Sequence, residues 1–380
     1  MLPETLRESQ KIPLWLDCDP GHDDAFAILL AAHHPQLKLL GITTVHGNAS
    51  LENTTVNARS VLEAIGQPNI PVYPGSKKPF CRLAVHAPSI HGSSGIDGTD
   101  LLPVPKTPPV TDTNPILAMR DALIAQPKNM AWVVATGALT NIALLFATFP
   151  EVADHVRGVS IMGGAIGDGF SGAPISKRPG EECRIGNITP YAEFNIYADP
   201  EAAKSILTSP ILAPKTTLIT LDLTHQVLAT QKVQSLILGT ESMDDSKPSI
   251  LRRILHDLLT FFASTYDTVF GIAAGPPLHD PVAVAVLFSN LNRSQMPDHL
   301  DLLRFDDNNG QRYVVEVTTD GSHGNDIQLT RELGRTVATK AADAGGITIP
   351  GSMDVDKFWD IIVDCLQRAE KYKEAHSVPN

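Results

Sequence analysis

Short apolar segments alternate with helical patterns along most of this chain, and this alternation constrains its fold more than any other feature. Apolar runs such as IPLWLDC (12–18), KLLGITTV (38–45) and AWVVAT (131–136) are each followed by a longer segment with helical spacing. Repeated strand, turn and helix predicts a mostly parallel central sheet that is flanked by helices on both faces. We therefore predict an α/β fold with a Rossmann-like core, in which ligands bind beyond the carboxyl ends of the strands.

The length and composition of the chain fit one large domain. It has 380 residues, of which 43% are hydrophobic, so it can bury a sizeable core. Because no repeat or linker marks a boundary, we predict one domain over residues 1–380, with an N-terminal extension at 1–11 and a C-terminal helix and tail at 351–380. Two stretches rich in Gly, Pro and Ser, 75–112 and 163–190, predict long loops, which in compact domains often carry function.

Charge and cysteine content disfavour several classes of protein. The chain has 42 acidic against 30 basic residues, and its formal charge of -12 disfavours binding to nucleic acid or to an anionic membrane. Its four cysteines are far apart and form no CxxC pair, so neither a disulfide framework nor a zinc site is indicated. The N-terminal segment has mixed charge and lacks the apolar core of a signal peptide, so we expect a cytoplasmic protein that can also be nuclear.

One uncharged segment, residues 130–149, is long enough to cross a bilayer. Thr136 and Gly137 divide it into a short β-branched run and a helical run, whose first turn holds Thr140 and Asn141. This division predicts a strand, a turn and a buried helix rather than a membrane span.

The segment LDCDPGHDD (16–24) concentrates four carboxylates at the end of a predicted strand. Capping of the following helix explains Asp23 or Asp24 but not Asp17 and Asp19, whose side chains leave the strand on the same side. Carboxylates this close repel one another and raise one another's pKa unless a cation or hydrogen-bond donors compensate. Because clusters of oxygen ligands suit calcium or magnesium, the segment predicts a site for a hard divalent cation.

The segment DCDPGHDDAFAILLA (17–31) resembles the signature of the inosine-uridine nucleoside hydrolases. The resemblance continues in the family's order over most of residues 12–330. It is carried by GITTVHGN (41–48), IHGSSGIDG (90–98), ATGALTNIA (135–143), IMGGA (161–165), NITPYAEFNIYADPEAA (187–203) and LHDPVAVA (278–285). The first segment is the most specific, and the ordered set identifies the family.

The resemblance implies a calcium-dependent enzyme that hydrolyses the N-glycosidic bond of ribonucleosides to ribose and free base, for nucleoside salvage. By position in the motifs, Asp19 resembles the general base and a calcium ligand, and Asp24 and Asp280 resemble further calcium ligands. Thr136 resembles the residue whose backbone carbonyl binds the metal, and Asp17 resembles a residue that supports the site. A homo-oligomer, either a dimer or a tetramer, is also implied.

The same resemblance implies a set of substrate-binding residues. Its members, each matching a motif position, are Asp23, Asn48, His91, Met162, Asn187, Glu193 and Asn195. Cleavage through an oxocarbenium-like state also requires help for the departing base. His279 is the candidate for this role, because an imidazole can donate a proton near neutral pH. Together His91 and His279 resemble the branch of the family that accepts uridine, so we favour uridine, with inosine and cytidine as further substrates.

The residues alone leave structural alternatives open at several of these positions. Asp280 precedes Pro281 and an apolar run, so capping of a helix explains it as well as catalysis does. His91 also fits a solvated loop histidine, and Glu193 with Asn195 also fits an exposed pair on an edge strand.

Aromatic residues recur at helical spacing in LLTFFASTYDTVFG (258–271). Tyr266 and Phe270 could close over a base, but such a stripe is typical of core packing. We therefore leave both residues outside the predicted site.

Two other functions remain open at this point. One is a magnesium phosphatase of the haloacid-dehalogenase-like type with Asp17 as nucleophile, although Gly21 departs from the Asp-x-Asp-x-Thr/Val signature of that class. The other is a nucleoside- or ribose-binding protein that holds a metal without turnover. The presence of Asp19 favours an active enzyme.

Overall fold

Parallel strands organise the molecule, whose computed structural model describes residues 11–240, 247–295, 301–323 and 331–376. The strands in these ranges are β1 (Ile12–Cys18), β2 (Leu37–Thr44), β3 (Val72–Pro74), β4 (Trp132–Ala135), β5 (Gly158–Met162), β6 (Thr216–Ile219), β7 (Phe305–Asp306), β8 (Arg312–Val317), β9 (Thr336–Lys340), β10 (Ile347–Thr348) and β11 (Ser352–Met353).

The helices of the same ranges follow most of the strands. They are α1 (Asp24–His33), α2 (Leu51–Ala64), α3 (Pro88–His91), α4 (Pro115–Ile124), α5 (Thr140–Thr148), α6 (Glu151–His155), α7 (Phe194–Ala198), α8 (Pro200–Leu207), α9 (Leu221–Thr224), α10 (Gln231–Leu238), α11 (Ile250–Phe270), α12 (Asp280–Ala285) and α13 (Val355–His376). Short 3₁₀ turns lie at Ala213–Lys215, Val286–Phe288 and Asn290–Gln295.

The main sheet has the order β3-β2-β1-β4-β5-β6-β10-β8-β9. Its strands are parallel from β3 to β10, and an antiparallel hairpin of β8 and β9 completes one edge. This architecture confirms the predicted α/β fold. Because the chain runs outward in one direction from β1 to β3 and in the other from β4 to β6, the order reverses between β1 and β4. Such a reversal leaves a crevice beyond the carboxyl ends of the two strands, where ligands bind in folds of this kind.

Alternating side chains of the strands fill two layers of core, one on each face of the sheet. Leu14 and Leu16 of β1 pack in the layer that includes α1, α12 and α13, whereas Trp15 between them packs in the layer that includes α4, α5 and α8. This period of two is the geometry of a strand that is buried on both faces. The central strands are therefore rigidly held, and their ends can fix side chains in the crevice.

The predictions for residues 130–149 and for the two long loops are confirmed. Residues 130–149 form β4, a turn and α5, and no helix in the described part of the chain is long and apolar enough to cross a membrane. The stretches 75–112 and 163–190, all of whose residues are described, are loops that contain α3 and no other helix or strand. Residues 1–10 of the predicted extension and 377–380 of the predicted tail lie outside the described ranges.

Candidate active site

The crevice at the reversal collects side chains that follow four neighbouring elements. Asp19 follows β1, Asn48 lies four residues after β2, Thr136 directly follows β4, and Met162 ends β5. The first residue of α12, Asp280, brings its carboxylate to the same place. Strand ends and one helix start thus converge on one point.

Three carboxylates meet there. One oxygen from each of Asp23, Asp24 and Asp280 lies within 4.8 Å of the others, and all three residues are buried. Asp24 is oriented by the amide N–H of Gly21, 2.8 Å from its Oδ2, and by the hydroxyl of Thr136, 3.1 Å from its Oδ1. The group includes Asp24 and Asp280 of the predicted metal ligands and also Asp23, for which we predicted a substrate-binding role.

Asp19 lies beside this group and is clamped by backbone. Its Oδ2 accepts the amide N–H of Asn48 at 2.7 Å, whereas its Oδ1 is buried and has no hydrogen-bond partner. A Cβ atom would lie 1.9 Å from Oδ2 at Gly47 and 2.6 Å from Oδ1 at Gly137, so any larger residue would displace the carboxylate. Glycine at both positions lets the chain enclose Asp19 closely.

Asp17 is fully buried and is enclosed by side chains that donate hydrogen bonds to it. Its Oδ1 accepts hydrogen bonds from the Asn141 side chain at 2.7 Å and from the Thr43 hydroxyl, while its Oδ2 is buried without a partner. This enclosure gives no room for an incoming phosphoryl group at Asp17.

Burial disfavours ionisation throughout this cluster. Desolvation raises the pKa of Asp17 to about 7, and desolvation with the charge of Asp24 raises the pKa of Asp23 to about 7. Desolvation, reinforced by neighbouring carboxylates, also raises the pKa of Asp19 and of Asp280 well above the usual range. A bound cation would offset these costs, and an all-oxygen donor set with unpartnered Oδ atoms fits calcium or magnesium.

Helix capping does not explain Asp24 or Asp280. Asp280 lies in the first turn of α12, whose N-cap is His279. Asp24 is the first residue of α1, whose N-cap is Asp23. The side chains of Asp23 and His279 make no capping hydrogen bond. Asp23 instead accepts the amide N–H groups of His279 and Asp280 at 3.3 and 3.4 Å, and so ties α1 to the start of α12. The alternative that these acids cap their own helices is therefore wrong.

A cavity of about 250 Å³ opens above the cluster. The acidic half of the pocket, as we call it, is lined by Asp23, Asn48, Thr136, Met162, Asn187, Glu193, Asn195 and Asp280. The aromatic half is lined by His91, Phe262, Tyr266, Val269, Phe270 and His279. All seven predicted substrate-binding residues line this one cavity, whereas Asp17, Asp19 and Asp24 are not among its lining residues.

Glu193 and Asn195 are buried, so the alternative of an exposed edge-strand pair is wrong. Glu193 caps α7 by accepting the amide N–H groups of Asn195 and Ile196, and it also accepts the Gly164 N–H at 2.9 Å. The side-chain amide of Asn195 donates to the Thr136 carbonyl at 2.8 Å. Because a carbonyl oxygen has two lone pairs, this bond leaves Thr136 able to bind a cation as well.

The aromatic half contains residues that sequence reasoning excluded. The Tyr266 hydroxyl lies 2.7 Å from Nε2 of His279, and the Thr224 hydroxyl lies 2.7 Å from Nδ1 of the same ring. Phe262 and Phe270 pack on Tyr266 at ring-centroid distances of 4.8 and 5.2 Å. Confining Tyr266 and Phe270 to the core is thus wrong, because these side chains pack together and also line the pocket.

Two further pocket residues come from the long loops. His91 is 7% exposed and contacts the imidazole of His22, so it is not a solvated loop histidine. Arg184, from the stretch 163–190, lines the pocket and bonds to the Glu181 carboxylate and to the carbonyls of Gly186 and Thr189. No spacing or motif indicated Arg184, and His22 lies inside the motif at 17–31 but no role was predicted for it.

The sequence and the fold both match nucleoside hydrolases. The family model described as inosine-uridine preferring nucleoside hydrolase matches residues 14–360. The uridine nucleosidase of Saccharomyces cerevisiae is 40% identical over 370 residues, which cover 95% of this chain and 97% of that protein. The pyrimidine-specific ribonucleoside hydrolase RihB of Escherichia coli is 32% identical over 358 residues, with coverage of 94% and 98%. The solved structure of a purine-preferring ribonucleoside hydrolase from Gardnerella vaginalis aligns with a TM-score of 0.72 at 25% identity, with coverage of 94% and 99%.

Proposed function

This chain belongs to the inosine-uridine preferring nucleoside hydrolases, which makes it a ribonucleoside hydrolase, and we propose that it depends on calcium and prefers uridine. One observation carries the proposal: a buried carboxylate cluster, with an unpartnered Asp19 oxygen beside it, adjoins a pocket whose opposite half is aromatic. The magnesium phosphatase alternative lacks support, because Asp17 is enclosed and the family match spans residues 14–360.

The reaction breaks the bond between C1′ of ribose and the base nitrogen while water adds to C1′. The developing oxocarbenium charge favours nearby carboxylates, and the water must lose a proton. When bound by Asp19, Asp24, Asp280 and the Thr136 carbonyl, calcium would lower the pKa of water and hold the vicinal 2′- and 3′-hydroxyls. Asp23 would support this site and the sugar hydroxyls.

Asp19 is the proposed general base. Its Oδ1 is free to accept a proton, and the close backbone at Gly47 and Gly137 keeps the carboxylate from rotating away. A fixed acceptor reduces the reorganisation that proton transfer from water would otherwise need.

The remaining residues of the acidic half are proposed to hold the ribose. Both Glu193 oxygens already accept amide N–H groups, and a carboxylate retains further lone pairs for a sugar hydroxyl. Asn48, Asn187 and Asn195 add amide groups, and Met162 provides an apolar wall. Their bonds to backbone atoms pre-orient these side chains.

Departure of the base is proposed to use Tyr266 and His279 together. Burial, with a smaller effect from His225, lowers the pKa of His279 well below its usual value, so the ring is neutral at pH 7. A neutral ring accepts at one nitrogen and donates at the other, and it can therefore pass a proton between its two partners. The base takes the proton from the Tyr266–His279 pair, while Asp19 takes the proton from water.

The preference for uridine rests on the base side of the pocket and on relatives. The yeast relative is named a uridine nucleosidase and the bacterial one is named pyrimidine-specific. His91 and His279 both line the pocket, as the resemblance to the uridine-accepting branch implies. The aligned Gardnerella enzyme is purine-preferring, so inosine is the comparison that decides the preference.

The test is release of ribose reducing ends from uridine, inosine, cytidine and 2′-deoxyuridine. The protein is assayed as purified, after chelation, and after readdition of calcium or of magnesium. We expect turnover of the ribonucleosides with uridine fastest, none of the deoxynucleoside, and recovery with calcium. Faster cleavage of inosine would overturn the uridine preference, and recovery with magnesium alone would overturn calcium. A folded protein that binds calcium and nucleosides but cleaves none would support the binding-protein alternative.

We also propose a homo-oligomeric enzyme of nucleoside salvage in the cytoplasm or nucleus. The four cysteines are free thiols, and Cys81 and Cys183 are exposed, which suits a reducing compartment. Light scattering of the purified chain and imaging of a tagged chain test the two statements; a monomer or a secreted protein would contradict them.

A further inference from the structure

His22 lies behind His91, on the side away from the pocket. Its side chain is fully buried and stacks on Phe261 and Phe262 at centroid distances of 5.1 and 5.3 Å. Its Nε2 lies 2.7 Å from the backbone carbonyl oxygen of Asp97, and its Nδ1 lies 3.1 Å from Nδ1 of His91. Resting on the function proposed above, we propose that His22 is a positioning residue that fixes His91 as a hydrogen-bond acceptor for a ring N–H of the base.

The hydrogen-bond partners determine which nitrogen of each of the two rings carries the hydrogen. A backbone carbonyl only accepts, so Nε2 of His22 carries the hydrogen. In a neutral ring the other nitrogen, Nδ1, is then an acceptor, and the contact with His91 requires the hydrogen on Nδ1 of His91. His91 is therefore left with an unprotonated Nε2. At pH 8, above the ordinary histidine pKa of about 6.5, both rings are neutral.

The Asp97 carbonyl is a dependable anchor because its own side chain is occupied elsewhere. The Asp97 carboxylate accepts the amide N–H groups of Ser93 at 2.8 Å and of Ser94 at 3.2 Å. It therefore closes its own turn and leaves the backbone oxygen to His22. The turn at Asp97 therefore determines which nitrogen of His22, and in turn which nitrogen of His91, carries the hydrogen.

Packing keeps the Nδ1 edge of His91 turned away from the pocket. A Cβ at Gly21 would lie 2.5 Å from Nδ1 of His91, so this edge rests directly on the backbone beside His22. His91 lines the cavity, and within the described ranges its side chain makes a hydrogen bond through Nδ1 to His22 and none through Nε2. The free acceptor thus belongs to the edge that can meet a base.

An acceptor at this place distinguishes bases by their ring nitrogens. Uracil carries a hydrogen on N3, and hypoxanthine carries one on N1, so either can donate to Nε2 of His91. Cytosine has no hydrogen on N3, and two lone pairs would face each other. A buried acceptor without a donor costs free energy, so the pocket should favour lactam bases.

The first test reads the tautomer without any reaction. Histidine rings labelled with ¹⁵N are observed by NMR in the calcium-loaded protein at pH 8, and His91 is assigned by loss of its signals in His91→Asn. We expect Nδ1 of His91 to be protonated and Nε2 to show the shift of an unprotonated nitrogen. A protonated Nε2 in His91 would overturn the inference.

The second test compares uridine with 3-methyluridine, and 5-methyluridine serves as a control for size. In the wild type we expect kcat/KM for 3-methyluridine to be lower by about tenfold or more, with 5-methyluridine little affected. His22→Phe keeps the stacking on Phe262 but removes the acceptor. The ratio of kcat/KM for uridine to kcat/KM for 3-methyluridine should therefore fall several-fold. His22→Asn places an amide oxygen near the position of Nδ1 and should restore the ratio.

The outcomes separate this inference from the proposed function. If the protein cleaves no nucleoside, the proposed function fails, and the NMR result still decides the tautomer. If it cleaves uridine but His22→Phe leaves the ratio unchanged, only the inference fails. Because each ratio is measured within one variant, a general loss of activity does not alter it, and His22→Asn serves if His22→Phe does not fold.

Discussion

The acidic half of the pocket takes Asn48, Thr136 and Met162 from the ends of neighbouring parallel strands, with further groups from the starts of α7 and α12, whereas the aromatic half joins a loop, the long helix α11 and the N-cap of α12. The carboxyl ends of parallel strands lie at one edge of the sheet, so the sequence alone predicts that side chains following these strands lie close together. The docking of α11 and of the loop at 75–112 follows no such rule. The sequence therefore predicts the acidic half, whereas in the aromatic half it predicts His91 and His279 but not Phe262, Tyr266 and Phe270.

The two halves also differ in the charge that burial imposes on them. Desolvation raises the pKa of Asp280 in the acidic half and of Asp19 beside it, so these carboxyl groups resist ionisation until a cation is present. Desolvation lowers the pKa of His91 and of His279, so the aromatic half stays neutral. Because only the acidic half needs a cation to offset its buried charges, mutations in the two halves should have different effects.

The largest effect is expected at Asp19. Asp19→Asn keeps the shape of the side chain but removes the proton acceptor, and we expect kcat to fall by about 10³-fold. The melting temperature should not fall, because the Asn48 amide bond to the side-chain oxygen is kept. The exposed Asp100→Asn is the matched control. Steady-state ribose release measures both, and retention of more than a tenth of the wild-type kcat would remove Asp19 from the role of base.

The next effect concerns stability and tests the charge of the acidic half. Asp280→Asn relieves repulsion among buried carboxylates, so the metal-free protein should gain roughly 1 kcal/mol or more in free energy of unfolding. The wild type should gain about 2.7 kcal/mol from calcium at 100 times its Kd, and the variant should lose most of this gain. Urea unfolding with and without calcium measures both terms. A less stable metal-free variant that keeps its calcium response would contradict the cation site.

The sequence predicts site residues at strand ends better than site residues on a packed helix. Asp19 and Thr136 lie at the ends of apolar runs, so the alternation of strands and helices places them at one edge of the sheet. The ligand roles of Asp24 and Asp280 were implied by the resemblance to the family. Tyr266 and Phe262 occur at helical spacing in a buried helix, and helical spacing cannot separate a side chain that fills the core from one that also borders a cavity. His22 lies inside the recognised motif but gives no sign of its role, since its partners His91 and Asp97 are distant in sequence.

The third prediction sharpens the role of the aromatic half. Tyr266→Phe removes the hydroxyl from Nε2 of His279, and kcat/KM for uridine should fall by about 10²-fold. A riboside with an activated p-nitrophenolate leaving group needs no proton and should lose less than tenfold. Tyr313→Phe, in β8 and away from the pocket, is the matched control. Equal losses for both substrates would show that Tyr266 positions the substrate rather than assisting the leaving group.

The smallest effect tests how the aromatic half is held in place. The loop at 75–112 carries His91 and is anchored by Arg82, which makes three hydrogen bonds to the Glu201 carboxylate and is only 11% exposed. The same loop forms a second ion pair through Lys77 and Glu52, whose side chains are 72% and 64% exposed.

Because exposed pairs contribute about 0–1 kcal/mol and an Arg–carboxylate pair of good geometry contributes more, the two anchors should differ. We expect Glu201→Gln to raise KM for uridine a few-fold, with the calcium affinity unchanged, because the loop loosens while the strand ends do not. Glu52→Gln should leave both values unchanged. If Glu201→Gln weakened calcium binding as much as it raised KM, the acidic half would depend on the loop too, and the two halves of the pocket would not be separate units.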